Sequence, residues 1–325
     1  MSLAIATYQF LDADQHIYFC SQSPDSKFLA CALGNGVVCL VNAITFSTVA
    51  RGAPGKDFLE APATCIRWAP EECDSAWQFV SSSCAGGVML WLWDRDSVSL
   101  RRGAAVCEKH NEVMVVDVSP SGKQVLTAGS DRIVRLYDSK LTLLAQLAEG
   151  VNPDGTSRPA HTNRIFSVRF LSELAAVSAG WDSPIQLWDL RLCRLTRQVV
   201  GMQGVSDCLE PVPSTPLVLV ASPKSANTLQ IFDAVTGRVL EEESSRVCSQ
   251  LNLTERVLVC RIEAETGNAW CLTVSPPSVI VVSVSSGRIV ARAELAHTPL
   301  NMTMKDASVV VGCKNGVLLQ VSLSM

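Results

Sequence analysis

The chain has 325 residues, 48% hydrophobic and 18% charged, with a formal net charge of −4 and a pI near 5.6. That balance supplies a large apolar core and excludes intrinsic disorder, while the lack of a basic excess or of any run of five like charges argues against a nucleic-acid binder. No apolar stretch approaches a membrane span and the first residues lack a basic leader region, so a soluble protein is expected, cytoplasmic with the nucleus as the alternative.

In chain order, the first feature is an alternating segment from Leu3 to Leu11, read as a strand. N-G-V-V-C-L-V-N follows at 35–42 and recurs as N-G-V-L-L-Q-V-S at 315–322, so the two ends of the chain carry related units. W-A-P at 68–70 and W-L-W-D at 91–94 mark a second unit. The strongest self-similarity lies in the middle: His110 to Asp138 superposes on His161 to Asp189 at an offset of 51. Both segments place a His 21 residues before an Asp, a hydroxyl four residues before that Asp and an aromatic six residues after it. V-L-T and A-V-S read as strands running into a tight turn, and I-x-L-[YW]-D as the returning strand. Third-strand markers then recur at Val41, Trp93, Tyr137, Trp188, Phe232, Val282 and Val321, with spacings of 39 to 52 residues. Internal periods of this size signify stacked supersecondary units.

This pattern resembles the WD-repeat family. The resemblance implies an all-β, seven-bladed β-propeller with four-stranded antiparallel blades. Residues 1–325 then form a single propeller domain, with blades at about 16–51, 60–101, 110–147, 161–200, 205–243, 247–293 and 298–325 plus 3–11. The N-terminal strand closes the last blade, which removes an open edge. Blade six is the least defined, because A-W-C-L-T-V-S reads either as its second strand or as an inserted one. The resemblance also implies a buried hydrogen-bond tetrad in each well-kept blade, mapped to His110, Thr127, Asp131 and Tyr137 and to His161, Ser178, Asp182 and Trp188. Tyr137 stands where the family usually has Trp.

Little chemistry remains once the repeat is accounted for. All four histidines, His16, His110, His161 and His297, stand just ahead of a blade. None is left for a hydrolytic triad or a metal site, and no phosphate-binding or metalloprotease motif occurs. The thirteen cysteines form no C-x-x-C pair and read as small buried hydrophobes. G-N-G (34–36) and A-G-G (85–87) read as turns. Acidic residues pairing in a central channel would be the one other source of chemistry, but the tetrad aspartates read as structural. Neither cofactor nor metal is expected, and an enzyme is the distant alternative.

The expected function is a non-catalytic scaffold or adaptor, a monomeric protomer holding proteins or peptides within a multiprotein complex. In the family, partners contact the narrow face, built from the loops leading into each blade and the turns between second and third strands. The contact positions map to Arg164, Phe166 and Trp181 in blade four and Ser130 in blade three, next to a polar insertion at 148–160. A second reading rests on Trp188, Asp189, Leu190 and Arg191, with Asp182 ahead of them. This segment resembles the box by which WD-repeat substrate receptors dock onto the adaptor of cullin–RING ubiquitin ligases.

Overall fold

Short runs rich in Val, Leu, Ile, Ala and Cys, broken every few residues by Gly, Asp, Asn or Ser turns, cannot form helices of useful length and pair instead as hairpins. In the computed structural model, which describes residues 2–10, 15–71, 76–151, 154–182, 184–223, 227–251 and 255–324, they build seven four-stranded antiparallel sheets. Blade three is Val113–Val118, Gln124–Gly129, Val134–Asp138 and Leu143–Leu147; blade four is Ile165–Ser172, Ala175–Gly180, Ile185–Asp189 and Arg194–Val199. Every third-strand marker lies on the third strand of its own blade. Blade six has Asn268–Val274 as its second strand, which resolves the A-W-C-L-T-V-S ambiguity.

The core is interleaved between sheets rather than held inside one of them. Trp91, Trp68, Phe79, Val116, Val134 and Ile165 belong to one buried cluster that runs from blade one to blade four. Further clusters join blades four to six, blades six and seven, and blades seven and one. Each sheet therefore buries both faces only in the presence of its neighbours, which makes ring closure a condition of stability. Closure is achieved by Ser2–Gln9, which pairs antiparallel with Val317–Ser324 in continuous register from Ser2↔Ser324 to Gln9↔Val317. Tyr8 stacks on Phe46 of blade one at 4.0 Å between centroids. The last residue of the alternating segment, Leu11, lies outside the described residues.

Removing residues 2–10 strips this ladder and exposes the edge of Val317–Ser324. We expect the truncated chain to melt roughly 5 °C or more below the full chain and to self-associate, because losing the ladder costs several kcal/mol and each kcal/mol shifts a chain longer than about 250 residues by about 2 °C or less. A truncated chain that stays monomeric and melts within about 2 °C of the full one contradicts closure by this strand.

Blade five departs from the pattern. Its outer strand, Arg238–Val239, is two residues long, and the helix Glu241–Cys248 lies across the exposed edge of Leu229–Asp233 instead. Ser244 Oγ accepts from Ile231 N at 2.9 Å, and Cys248 Sγ accepts from Leu229 N at 3.3 Å. Side chains of the helix thus engage backbone groups that a longer outer strand would have paired. No signal in the repeat announces this helix. The insertion at 148–160 is likewise more ordered than a polar loop: Glu149–Val151 and Ser157–Pro159 form a two-stranded hairpin, while Asn152 and Pro153 lie outside the described residues.

Candidate binding face and channel

Blade four carries the tetrad in the expected positions. His161 Nδ1 lies 3.1 Å from Asp182 Oδ1, His161 Nε2 lies 2.7 Å from Ser178 Oγ, and Trp188 Nε1 donates to Ser178 Oγ at 2.8 Å. A single proton direction satisfies the chain: indole to hydroxyl, hydroxyl to Nε2, and Nδ1–H to carboxylate. Burial works against ionisation of Asp182, yet the His161 and Thr162 hydrogen bonds outweigh it and hold its pKa below the ordinary carboxylate range. The same carboxylate therefore ties the leading loop to the turn that carries Trp181.

Blade three solves the problem with different residues, and the expectation for His110 is corrected. His110 is exposed, with a left-handed φ of 62°, and Glu108 occupies the buried position facing Thr127. Glu108 Oε1 accepts from Thr127 Oγ1 at 2.5 Å and from Tyr137 Oη at 3.0 Å; Oε2 accepts from Asn111 Nδ2 at 2.7 Å and Arg135 Nη1 at 3.0 Å. The chemistry explains the exchange. Thr and Tyr hydroxyls both arrive as donors, and an imidazole offers one acceptor nitrogen where a carboxylate offers about four lone-pair sites. Asp131 stays in the network through Arg135, at 2.5 Å. Burial and the neighbouring Glu108 push the Tyr137 phenol up and keep it protonated as a donor. Gly86 makes room for Glu108: its φ is +88°, and a Cβ there would lie 2.5 Å from the Glu108 carbonyl oxygen.

Blade two, for which the repeat assigned no tetrad, shows a variant of the arrangement. Trp91, not Trp93, is the residue whose Nε1 reaches the second-strand hydroxyl, donating to Ser81 Oγ at 2.8 Å. Trp93 Nε1 is buried without a hydrogen-bond partner. The long third strand Gly87–Asp94 puts two tryptophans on one sheet face, and the W-D pair alone does not identify the tetrad member.

The expected contact residues come together on the narrow face. Phe166 and Trp181 have ring centroids 5.0 Å apart, and Trp181 is 43% exposed. Gly180 allows this proximity: Trp181 N donates to Arg164 O at 3.0 Å, and a Cβ on Gly180 would lie 2.2 Å from that oxygen. Arg164 is paired with Glu112 from the loop leading into blade three, both side chains being nearly half exposed. Ser130 is half-buried and caps that same loop, accepting from Glu112 N at 2.8 Å. Asp189 and Arg191 lie at the other end of the third strand from Asp182. Asp189 Oδ1 accepts from Leu192 N at 3.0 Å, and Arg191 is 3.6 Å from Asp189 Oδ2 and 68% exposed.

The central channel holds a charge cluster that the repeat pattern did not locate. Asp207, just ahead of blade five, takes Arg67 of blade two at 2.6 Å, Arg169 of blade four at 3.0 Å and Arg261 of blade six on a single Oδ2. Asp117 lies 3.4 and 3.5 Å from Arg67 and Arg169, and Glu210 lies 3.6 and 3.9 Å from Arg261 and Arg169. Three guanidiniums meet three carboxylates, so the cluster is formally neutral. Burial opposes ionisation of both aspartates, but their outcomes differ. The three close guanidiniums hold Asp207 far below the usual carboxylate range, whereas burial prevails at the more distant Asp117 and raises its pKa. The missed signal was one Arg or acidic residue per first strand, in I-R-W, V-D-V, V-R-F, L-E-P and C-R-I.

Burial pushes the thiols of Cys20 and Cys208 up to about 12, leaving them protonated and inert as nucleophiles at neutral pH. Among the described residues no group of three His, Cys, Asp or Glu side chains could hold a metal ion. No helix there is long and apolar enough to cross a membrane.

Seven four-stranded blades, a closing N-terminal strand and the His161–Ser178–Asp182–Trp188 tetrad give the chain the architecture of a WD-repeat β-propeller. The sequence profile of the WD domain, G-beta repeat, matches residues 104–138. Among curated proteins the chain is similar to the ribosome biogenesis protein WDR12 homologs of Drosophila persimilis and Drosophila virilis, each 24% identical over 185 residues. The Drosophila mojavensis homolog is 22% identical over the same length. The alignments cover 55% of this chain and 43% of each relative, so the chain spans less than half the length of the curated relatives it matches.

Proposed function

We propose that the protein is a non-catalytic scaffold that holds a protein partner on its narrow face, with Phe166 and Trp181 as the anchor. The observation that carries this reading is the tilted aromatic pair, 5.0 Å apart, with Trp181 43% exposed in a turn beside the channel mouth. An exposed indole on a rigid rim, with an arginine alongside, has the composition of an interface hot spot. The similar Drosophila proteins are by name ribosome biogenesis proteins, and we assign this chain to a ribosome-assembly complex on that footing. The same footing favours the nucleus over the cytoplasm. Docking to a ligase adaptor through Trp188, Asp189, Leu190 and Arg191 gains no support from these relatives. Trp188 is buried in the tetrad and Asp189 caps its own turn, which leaves Arg191 alone as an exposed contact.

The double variant Arg164→Ala, Trp181→Ala is expected to lose about 2–4 kcal/mol of affinity for the partner while its melting temperature stays close to wild type. Affinity capture of ribosome-assembly proteins from native extract, compared with thermal melting of the purified variants, checks this. Retained capture, or a collapse in stability, assigns these side chains to the scaffold and the interface to another surface.

A further inference from the structure

Above the charge cluster, the mouth of the channel opens into a cavity of about 200 Å³ on the narrow face. Tyr18, Met114, Phe166 and Leu300, from four different blades, and Val205, from the loop ahead of blade five, supply the apolar part of its wall; Thr64, Ser206 and Asn301 add uncharged polar groups, and Asp207 lies in its floor. Sites for drug-sized ligands run from about 300 to 1,000 Å³, so this one suits a single side chain rather than a free metabolite. The floor decides which side chain. Asp207 Oδ2 is occupied by three guanidiniums and Oδ1 lies 3.4 Å from Ser167 Oγ, so the one carboxylate at the cavity is already neutralised. A cationic guest would meet three arginines with no spare carboxylate. An anionic guest would meet Asp207 itself. The hydroxyls and amide of the wall are uncharged and offer neither guest an opposite charge to offset its desolvation, whereas an apolar guest has no such hydration to lose.

We propose that the channel mouth is a socket for one uncharged apolar side chain, Leu, Met or Phe, presented by an extended segment of the partner whose neighbouring residues lie against Trp181. The inference rests on the narrow-face reading and narrows it to a chemical class of partner. The electroneutral floor thus acts as a specificity element that rejects arginine and lysine anchors. Selection of random linear peptides displayed on phage against the immobilised full chain tests it. Enriched peptides are expected to share an apolar residue at one position. Changing that residue to Arg or Glu should weaken the synthetic peptide about tenfold or more. Val205→Lys, in the loop ahead of blade five, should weaken the parent peptide by a similar factor at unchanged melting temperature. Met114→Lys, reaching the socket from blade three, provides a second variant should the first fail to fold. A charged anchor, no enrichment above background, or full binding by a folded Lys variant overturns the socket. Binding that survives both Lys variants but is lost in Trp181→Ala overturns it while leaving the narrow-face reading intact.

Discussion

Replacing Glu108 with alanine is expected to cost about 3–5 kcal/mol, while His110→Asn stays within about 0.5 kcal/mol of wild type. The first change leaves the Thr127 and Tyr137 hydroxyls and the Asn111 amide, all buried, and the largely buried Arg135 guanidinium without their shared acceptor. Removing one member of a buried charged network is far more costly than the network's net worth, because the survivors stay desolvated. His110 is exposed with φ of 62°, a conformation that Asn tolerates. Urea denaturation of the two variants checks the pair. Equal losses at the two positions would return His110 to the tetrad.

Asp207→Asn is expected to cost a comparable amount, about 3–5 kcal/mol, because it leaves three guanidiniums facing two carboxylates in the channel. The pH dependence has a definite sign. The folded-state pKa of Asp207 lies far below its unfolded value, so its stabilisation is fully present above about pH 5 and is lost as pH falls through the unfolded value toward the folded pKa. The stability gap between wild type and Asp207→Asn should therefore be constant near neutrality and shrink on acidification from about pH 5 downward. Asp117 has the opposite sign, since its raised pKa favours the protonated form, and it is present in both proteins, so it largely cancels in the comparison. Chemical denaturation at stepped pH checks this. A gap that stays constant through pH 3, or grows on acidification, contradicts the assignment of Asp207 as the charged hub.

The parts of the fold legible in the sequence are those that repeat. Third-strand markers such as Trp188 and Phe232 recur because each blade needs an apolar residue facing the next, and the likeness of 35–42 to 315–322 reflects two blades on either side of the closure. Blade four was readable to the residue because His161, Ser178, Asp182 and Trp188 keep one spacing and one proton path. Blade three kept the spacing but not the path: His110 is 21 residues from Asp131, yet its strand begins at Val113, one residue sooner after the His than in blade four. The Tyr at 137 was the visible warning, since a phenol that donates needs a strong acceptor. The channel cluster was not read from the sequence because its members stand 3 to 51 residues from their nearest neighbours in the chain and meet only when the ring closes. The helix Glu241–Cys248 answers to a shortened outer strand, and a shortened strand leaves no motif.

The most direct test of the binding assignment is amide hydrogen exchange of the chain with and without its captured partner. Protection is expected in 162–166 and 180–182, where Trp181 N already bonds Arg164 O at 3.0 Å, and not in the turn at 189–193 that carries Arg191. Protection confined to 189–193, with 162–166 and 180–182 exchanging as in the free protein, would place the interface on the opposite face and contradict the account.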